Sequence, residues 1–281
     1  MKYFEYFYQF RETNVELDNR CVKADERLMA QGHFYGYDNI VDRSTFFEIN
    51  NPFLRETVES NVSKCHNRIR QIIVSLASFH NAPLESSLEF LLKTFYLNKR
   101  ILLLEDTSFF ASIFKFLCQK YQIELVTSEF LGTKYKSGQV INEILNVDIQ
   151  NTHFQNNFFD LILHTDVFEH VPDAVIAEKE IVRILNKNGA IIFTAPFEYD
   201  RDTDNLYAEY INNKIKYYQE PIYHEDPISE DGKCLVFRTF SFKDMKKRYN
   251  LLGCRFTCEY FHSKYLGILG NNAFTFLVTK P

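Results

Sequence analysis

Residues 154–197 read FQNNFFDLILHTDVFEHVPDAVIAEKEIVRILNKNGAIIFTAPF. Phe159-Asp160-Leu161-Ile162-Leu163 is a short apolar run that opens on an acid, and His164-Thr165-Asp166 ends it in polar atoms. Pro172-Asp173 is a helix-start signal. Ile176, Ile181, Ile184 and Leu185 then recur at roughly helical spacing, with Glu178, Lys179, Glu180 and Arg183 on other faces. Asn188-Gly189 reads as the stop, because glycine takes the left-handed cap conformation at little cost. Ala190-Ile191-Ile192-Phe193-Thr194 reads as a second buried strand, ended by Pro196. Strand, crossover helix and strand make a parallel unit, and such units occur almost only inside sheets covered by helices.

The same residues carry a resemblance. Phe158-Phe159-Asp160-Leu161-Ile162, Phe168-Glu169-His170-Val171, Glu180, Arg183 to Gly189, and Pro196, with Asp148 upstream, fall in the order of a known pattern. The stretch resembles the class I S-adenosylmethionine-dependent methyltransferases, in particular the type 11 group. That resemblance implies a Rossmann-like α/β sheet of seven strands, the last antiparallel, with helices on both faces. It implies S-adenosylmethionine as cofactor and methyl transfer as the reaction.

Composition sets limits around this core. The chain has 281 residues, room for one large α/β domain with an appendage or for two domains. Hydrophobic residues make up 46% and charged residues 25%, ordinary for a globular protein. The net charge of −5 argues against nucleic acid as a partner, since a phosphate backbone wants a basic face. MKYFEYFYQF lacks the cationic end, apolar run and cleavage site of a signal peptide. No run approaches the roughly 18 apolar residues of a membrane span. The expected location is the cytoplasm. Cys21, Cys65, Cys118, Cys234, Cys254 and Cys258 include no C-x-x-C pair, so neither a zinc site nor any other metal site is expected.

We read residues 1–97 as an N-terminal extension, irregular and then helical, and residues 98–281 as the methyltransferase-like domain, with an insertion at 198–233. His66-Asn67-Arg68-Ile69-Arg70 resembles the end of a small zinc module whose paired cysteines are missing here, a degenerate remnant. Apolar spacing predicts a helix from Asn67 to Phe79, and a second whose first turn holds Pro83, running to about Tyr96. Ile101-Leu102-Leu103-Leu104 is the first buried strand, and Asp106, Thr107 and Ser108 are good starts for a helix from Phe109 to Lys120.

In a doubly wound sheet this first strand-to-helix turn is where a nucleotide-like cofactor sits. The family has an acid followed by glycines there. This chain has Glu105 at the acid position but Thr107, Phe109 and Ala111 where glycines would fall, and no glycine between Gly36 and Gly132. Either Thr107 or Ser108 and backbone N–H groups hold a displaced cofactor, or the site no longer binds it.

The resemblance assigns further roles. Glu129, at the carboxyl end of the strand Glu124 to Glu129, would accept from the cofactor's ribose hydroxyls, and Asp148 with Ile149 would meet its adenine. Thr165 and Asp166 stand at the carboxyl end of a strand, where open α/β sheets bind ligands. His170 and His224 are the candidate bases, because imidazole titrates near neutral pH. For each a plain structural role competes: Asp148 capping its turn, Glu169 and His170 orienting the next helix, His224 tying the insertion down. The insertion, with Tyr217-Tyr218, Asp200, Asp202 and Asp204, suits a small polar acceptor such as a sugar or other hydroxyl compound. The alternative is a non-catalytic methyltransferase-fold binding module, expected if Phe109 fills the adenosyl space.

Overall fold

The computed structural model describes residues 3–4, 23, 25–198, 201–212, 214–229, 231–270 and 273–281. Cys21, Asp200, Asn272 and the aromatic run from Tyr6 to Phe10 lie outside the described residues.

The main sheet runs in the order Tyr3–Phe4, Arg255–Tyr260, Phe274–Thr279, Leu185–Thr194, Phe159–Thr165, Arg100–Leu103, Glu124–Thr127. Among the described residues the outermost strand of this sheet is the two-residue edge strand Tyr3–Phe4. Val147-Asp148 form no strand of this sheet, and one parallel bridge joins the neighbouring Asn146 to Glu129. Asn146 spends its side chain on loop backbone: its Oδ1 accepts from Leu131 N at 2.7 Å, and its amide donates to Tyr135 O. The order reverses beside Arg100–Leu103, since the chain moves one way to Glu124–Thr127 and the other to Phe159–Thr165. Open α/β sheets bind ligands outside the carboxyl ends of the strands at such a reversal.

Contacts group the chain into two compact units: 1–101, 107–125 and 257–277 form the first, and 102–106, 126–256 and 278–281 the second. The first contains an antiparallel sheet, His33–Asp38, Arg43–Ile49 and Val58–Ser60, that the sequence reading missed. It packs Phe34, Phe47, Leu54 and Val58 with Leu28 and Leu269. Gly36 is required there, because a Cβ would stand 2.4 Å from Tyr265 O. Arg70, fully buried, donates to the carbonyls of Cys65, Val58 and Gly267 and lies 4.4 Å over the Phe47 ring. The predicted helix Asn67–Phe79 is present. The next begins at Leu88, five residues past Pro83, because Ser87 caps it, accepting from Phe90 N. Ser108 caps Phe109–Tyr121 in the same way, accepting from Ala111 N at 2.9 Å.

In the second unit Leu185–Thr194 pairs in parallel with Phe159–Thr165. The helix between them, Ala174–Ile184, is capped by Asp173, which accepts from Ile176 N at 3.0 Å. It stops at Ile184, not at Asn188-Gly189. Asn188 takes the left-handed conformation (φ 60°) inside the following strand. Gly189 is needed for space instead: a Cβ would stand 2.9 Å from Asn186 O and 3.0 Å from Asp160 O. The insertion folds as two antiparallel hairpins, Ala208–Ile211 with Lys214–Tyr217 and Ile222–Glu225 with Lys233–Val236. Lys233–Val236 and Arg238–Ser241 are separate strands, broken where Phe237 N–H leaves the ladder to donate to Glu169 O at 2.7 Å.

Candidate active site

A cavity of about 480 Å³ opens at the carboxyl ends of these strands in the second unit. Glu105, Glu129, Asp148, Ile149, Thr165, Asp166 and His170 all line it. Thr107 is exposed and is not among its lining residues. His224 is reached through His170, with Nδ1 3.2 Å from His170 Nε2.

The turn after the first strand explains how a glycine-free sequence makes this shape. No residue from Glu105 to Ser108 has a positive φ, so nothing there calls for glycine's conformational range. Side chains fix the turn: Glu129 Oε1 accepts from Asp106 N–H at 2.7 Å, and the Thr127 hydroxyl donates to Asp106 Oδ1. Glu105 Oε2 accepts from the Thr165 hydroxyl at 3.2 Å, which joins the ends of two adjacent strands. Phe109 is 65% exposed, and a cavity bordered by both Glu129 and Asp148 remains.

Asp148 does two things. Its Oδ1 accepts from Gln150 N–H at 2.9 Å, the capping role, while the residue still borders the cavity. Asp166 is held left-handed (φ 49°), which Asp tolerates better than most residues. Its N–H donates to Thr194 O and its Oδ1 accepts from the Thr194 hydroxyl at 2.9 Å.

The far wall is built by the loop 167–172 and the hairpin of the insertion. Phe237 N–H on Glu169 O and the Arg238 guanidinium on Pro172 O fasten the two together. This brings the Leu235 carbonyl 2.9 Å from His170 Nδ1. Burial holds His170 below the ordinary imidazole range, the Leu235 hydrogen bond opposes the shift, and the neighbouring His224 adds to it. Neutral His170 therefore donates from Nδ1 to Leu235 and presents its Nε2 lone pair to His224. Glu169 is fully buried, with Oε1 3.8 Å from His170 Nε2. Cys234 also lines the wall, but burial pushes its thiol up to about 12, so it stays protonated and is a poor nucleophile.

The residue types suit an adenosyl sulfonium compound. A carboxylate after the second strand can accept from a diol, an acid beside an apolar Ile149 can meet a base edge, and Glu105, Glu129, Asp148 and Asp166 supply negative charge for a cationic ligand. Among the described residues no lysine or arginine lines the cavity. Residues 108–193, just under a third of the chain, match the profile of a methyltransferase domain, type 11. The chain carries a methyltransferase domain. Its main sheet is of the Rossmann-like α/β type. No curated protein sequence matches it. Among solved structures it is similar to a SAM-dependent methyltransferase from Archaeoglobus fulgidus, at 12% identity over 75% of this chain and 94% of that one, TM-score 0.42. An S-adenosylmethionine-dependent methyltransferase from Mesorhizobium loti matches at 12% identity over 64% and 89%, TM-score 0.38. One from Listeria monocytogenes matches at 11% identity over 66% and 92%, TM-score 0.40. Likeness at this level says nothing about acceptor or site residues. No helix among the described residues is long and apolar enough to cross a membrane.

Sequence reasoning picked Glu105, Asp148 and Ile149 through the resemblance, Glu129 through resemblance and position together, Thr165 and Asp166 by strand-end position, and His170 as a candidate base. It missed the contribution of Leu235 and Phe237, because a backbone carbonyl and a ladder break leave no mark in residue type. It placed His170 and His224 in separate segments, and only the hairpin pairing brings their imidazoles into contact.

Proposed function

We propose that this protein methylates a small polar molecule bearing a hydroxyl, such as a sugar, bound at the His170 end of the cavity. The observation that carries the reading is one cavity bordered at one side by Glu105, Glu129, Asp148 and Ile149, and at the other by His170 and the insertion hairpin. Glu129 and Asp148 hold the nucleoside part of S-adenosylmethionine, and Glu105 and Asp166 supply negative charge for its cationic part. When bound, the cofactor supplies an electrophilic methyl group on a sulfonium sulfur. The chain supplies position: Glu129 is fixed by Asp106 N–H, and the Thr165–Glu105 hydrogen bond keeps adjacent strand ends in register. His170 and His224 stand at the acceptor end and ease loss of the acceptor's proton. Residues 198–233, which carry the His224 strand of that hairpin, form the acceptor side. Thr107 is left without a role in the reading.

The test is incubation of the full chain with methyl-labelled S-adenosylmethionine and a panel of hydroxylated small molecules. Label should pass to an acceptor in the wild type and fall sharply in His170→Ala. Transfer unaffected by that change contradicts the assignment of the acceptor end.

A further inference from the structure

The wall of the cavity contains a group of metal-ligating side chains that methyl transfer by itself does not require. Glu169, His170 and His224 each present one ligand atom, and all these atoms lie within 4.8 Å of one another. We propose that they bind a divalent transition metal ion, of the Zn²⁺ or Co²⁺ type, at the acceptor end of the cavity. The consequence for catalysis rests on the reading above; the binding itself does not.

Three features of the geometry support this. The separation of His170 Nε2 and His224 Nδ1 is 3.2 Å. Two nitrogens each about 2.0–2.1 Å from a tetrahedral metal stand about 3.3 Å apart, so the pair already has the spacing of two ligands. Glu169 Oε1 lies 3.8 Å from Nε2, and the three ligand atoms fall within 4.8 Å of one another, which places a carboxylate beside the pair as the third ligand. Second, the tautomer is set. Metal-bound histidine nearly always donates its other ring N–H to a carbonyl, carboxylate or water, which fixes the ring and aims the lone pair. His170 Nδ1 has that partner in the Leu235 carbonyl at 2.9 Å, which leaves Nε2 facing His224 and Glu169.

Third, the ligands are unequal in exposure. Glu169 is fully buried and His170 half-buried, while His224 is exposed, so the site has a closed base and an open side. Catalytic metal sites keep such an open position for water or substrate, whereas structural ones are closed. His170 borders the cavity, and Asp166 and Asp226, also lining it, act on His170 electrostatically and add negative charge for a cation. Two imidazoles and a carboxylate are ligands of the type divalent Zn, Co, Mn and Fe accept. A metal ion there would bind the acceptor's hydroxyl and lower its pKa, with the proton passing to water. His170 and His224 would then ease proton loss as ligands.

The experiment is titration of the full chain, first stripped with chelator, with CoCl₂ at neutral pH, followed by calorimetry and visible absorption. The expected result is one Co²⁺ per chain and a ligand-field spectrum of nitrogen coordination. His224→Ala removes an exposed side chain, and Glu169→Gln keeps the shape of a buried one. Each should weaken Co²⁺ by about tenfold or more, with thermal unfolding of His224→Ala unchanged. The proposal is overturned if no saturable site exists, or if His224→Ala binds Co²⁺ like the wild type. S-adenosylhomocysteine is titrated in parallel. Cofactor binding without Co²⁺ binding overturns this proposal alone, and Co²⁺ binding without cofactor binding overturns the cofactor reading alone.

Discussion

Glu129 is the residue on which cofactor binding should depend most, and two substitutions separate its two jobs. One is internal: Oε1 accepts from Asp106 N–H at 2.7 Å and so shapes the turn. The other is the proposed acceptance from the cofactor's hydroxyls. Glu129→Gln keeps an amide oxygen for Asp106 and removes the charge. Hydrogen bonds to charged groups contribute about 1.5–3 kcal/mol against about 1 for neutral ones. The loss should therefore be about 1–2 kcal/mol, roughly five- to thirtyfold in Kd. Glu129→Ala removes both functions and leaves the Asp106 N–H beside a gap, which adds about 1–3 kcal/mol of its own. The alanine variant should bind S-adenosylhomocysteine about a hundredfold or more weaker than wild type. Calorimetric titration of the three proteins under one condition measures both steps. If both variants bind within about twofold of wild type, a resolution set by the free-energy scale, the carboxylate does not meet the cofactor. If Gln and Ala are equally damaging, its role lies in charge and not in the turn.

Other consequences can be checked more briefly. Phe109→Ala should leave cofactor affinity unchanged, because the ring is 65% exposed and is not among the residues lining the cavity; tighter binding would mean that the ring obstructs it. Arg248 donates to both oxygens of buried Glu178, at 2.6 and 2.9 Å, and to Asp204 at 3.0 Å. Arg248→Met should therefore cost about 3–5 kcal/mol in urea unfolding, since it strands a buried carboxylate; a loss under about 1 kcal/mol, the worth of a surface pair, would show that the network is dispensable. Glu259 is buried among Ser75 and Ser78, and burial raises its carboxyl from 4.5 to about 7. The folded state thus keeps a proton that the unfolded chain releases. Stability is fully present below pH about 4.5 and falls as pH rises to about 7, by about 3 kcal/mol from this group. Glu259→Gln should remove that slope in unfolding measured from pH 5 to 8; an unaltered slope refutes the assignment.

The sequence disclosed this fold through local signals that tertiary packing did not override. Ser108 and Asp173 read as helix starts, and each accepts a hydrogen bond from the backbone of its helix. The runs at 101–104 and 159–163 are apolar because strands at the centre of a sheet are buried on both faces. Signals failed where a residue acts through space. Nothing in Val147-Asp148 says that Asn146 spends its amide on loop carbonyls and so leaves one bridge of a strand. Asn188-Gly189 looks like a helix stop, but the glycine answers to Asp160 O across the sheet. The hairpin from His33 to Ile49 was hidden because His33 and Tyr35 face outward while Phe34 and Phe47 supply its buried side, a pattern too polar overall to read as a strand. Asp204, read with the polar insertion as part of an acceptor side, is instead tied to Arg248 and to Ser241 N–H at 2.8 Å. Contact between His170 and His224 depends on a hairpin register that no local pattern encodes.

The central claim is that a turn without glycine still forms an S-adenosylmethionine site in the cavity bordered by Glu129 and Asp148. Calorimetric titration of the full chain with S-adenosylhomocysteine tests it most directly. The account predicts one site per chain at micromolar affinity, about −8 kcal/mol. No heat and no thermal shift with ligand raised to the millimolar range, about −4 kcal/mol, would contradict it.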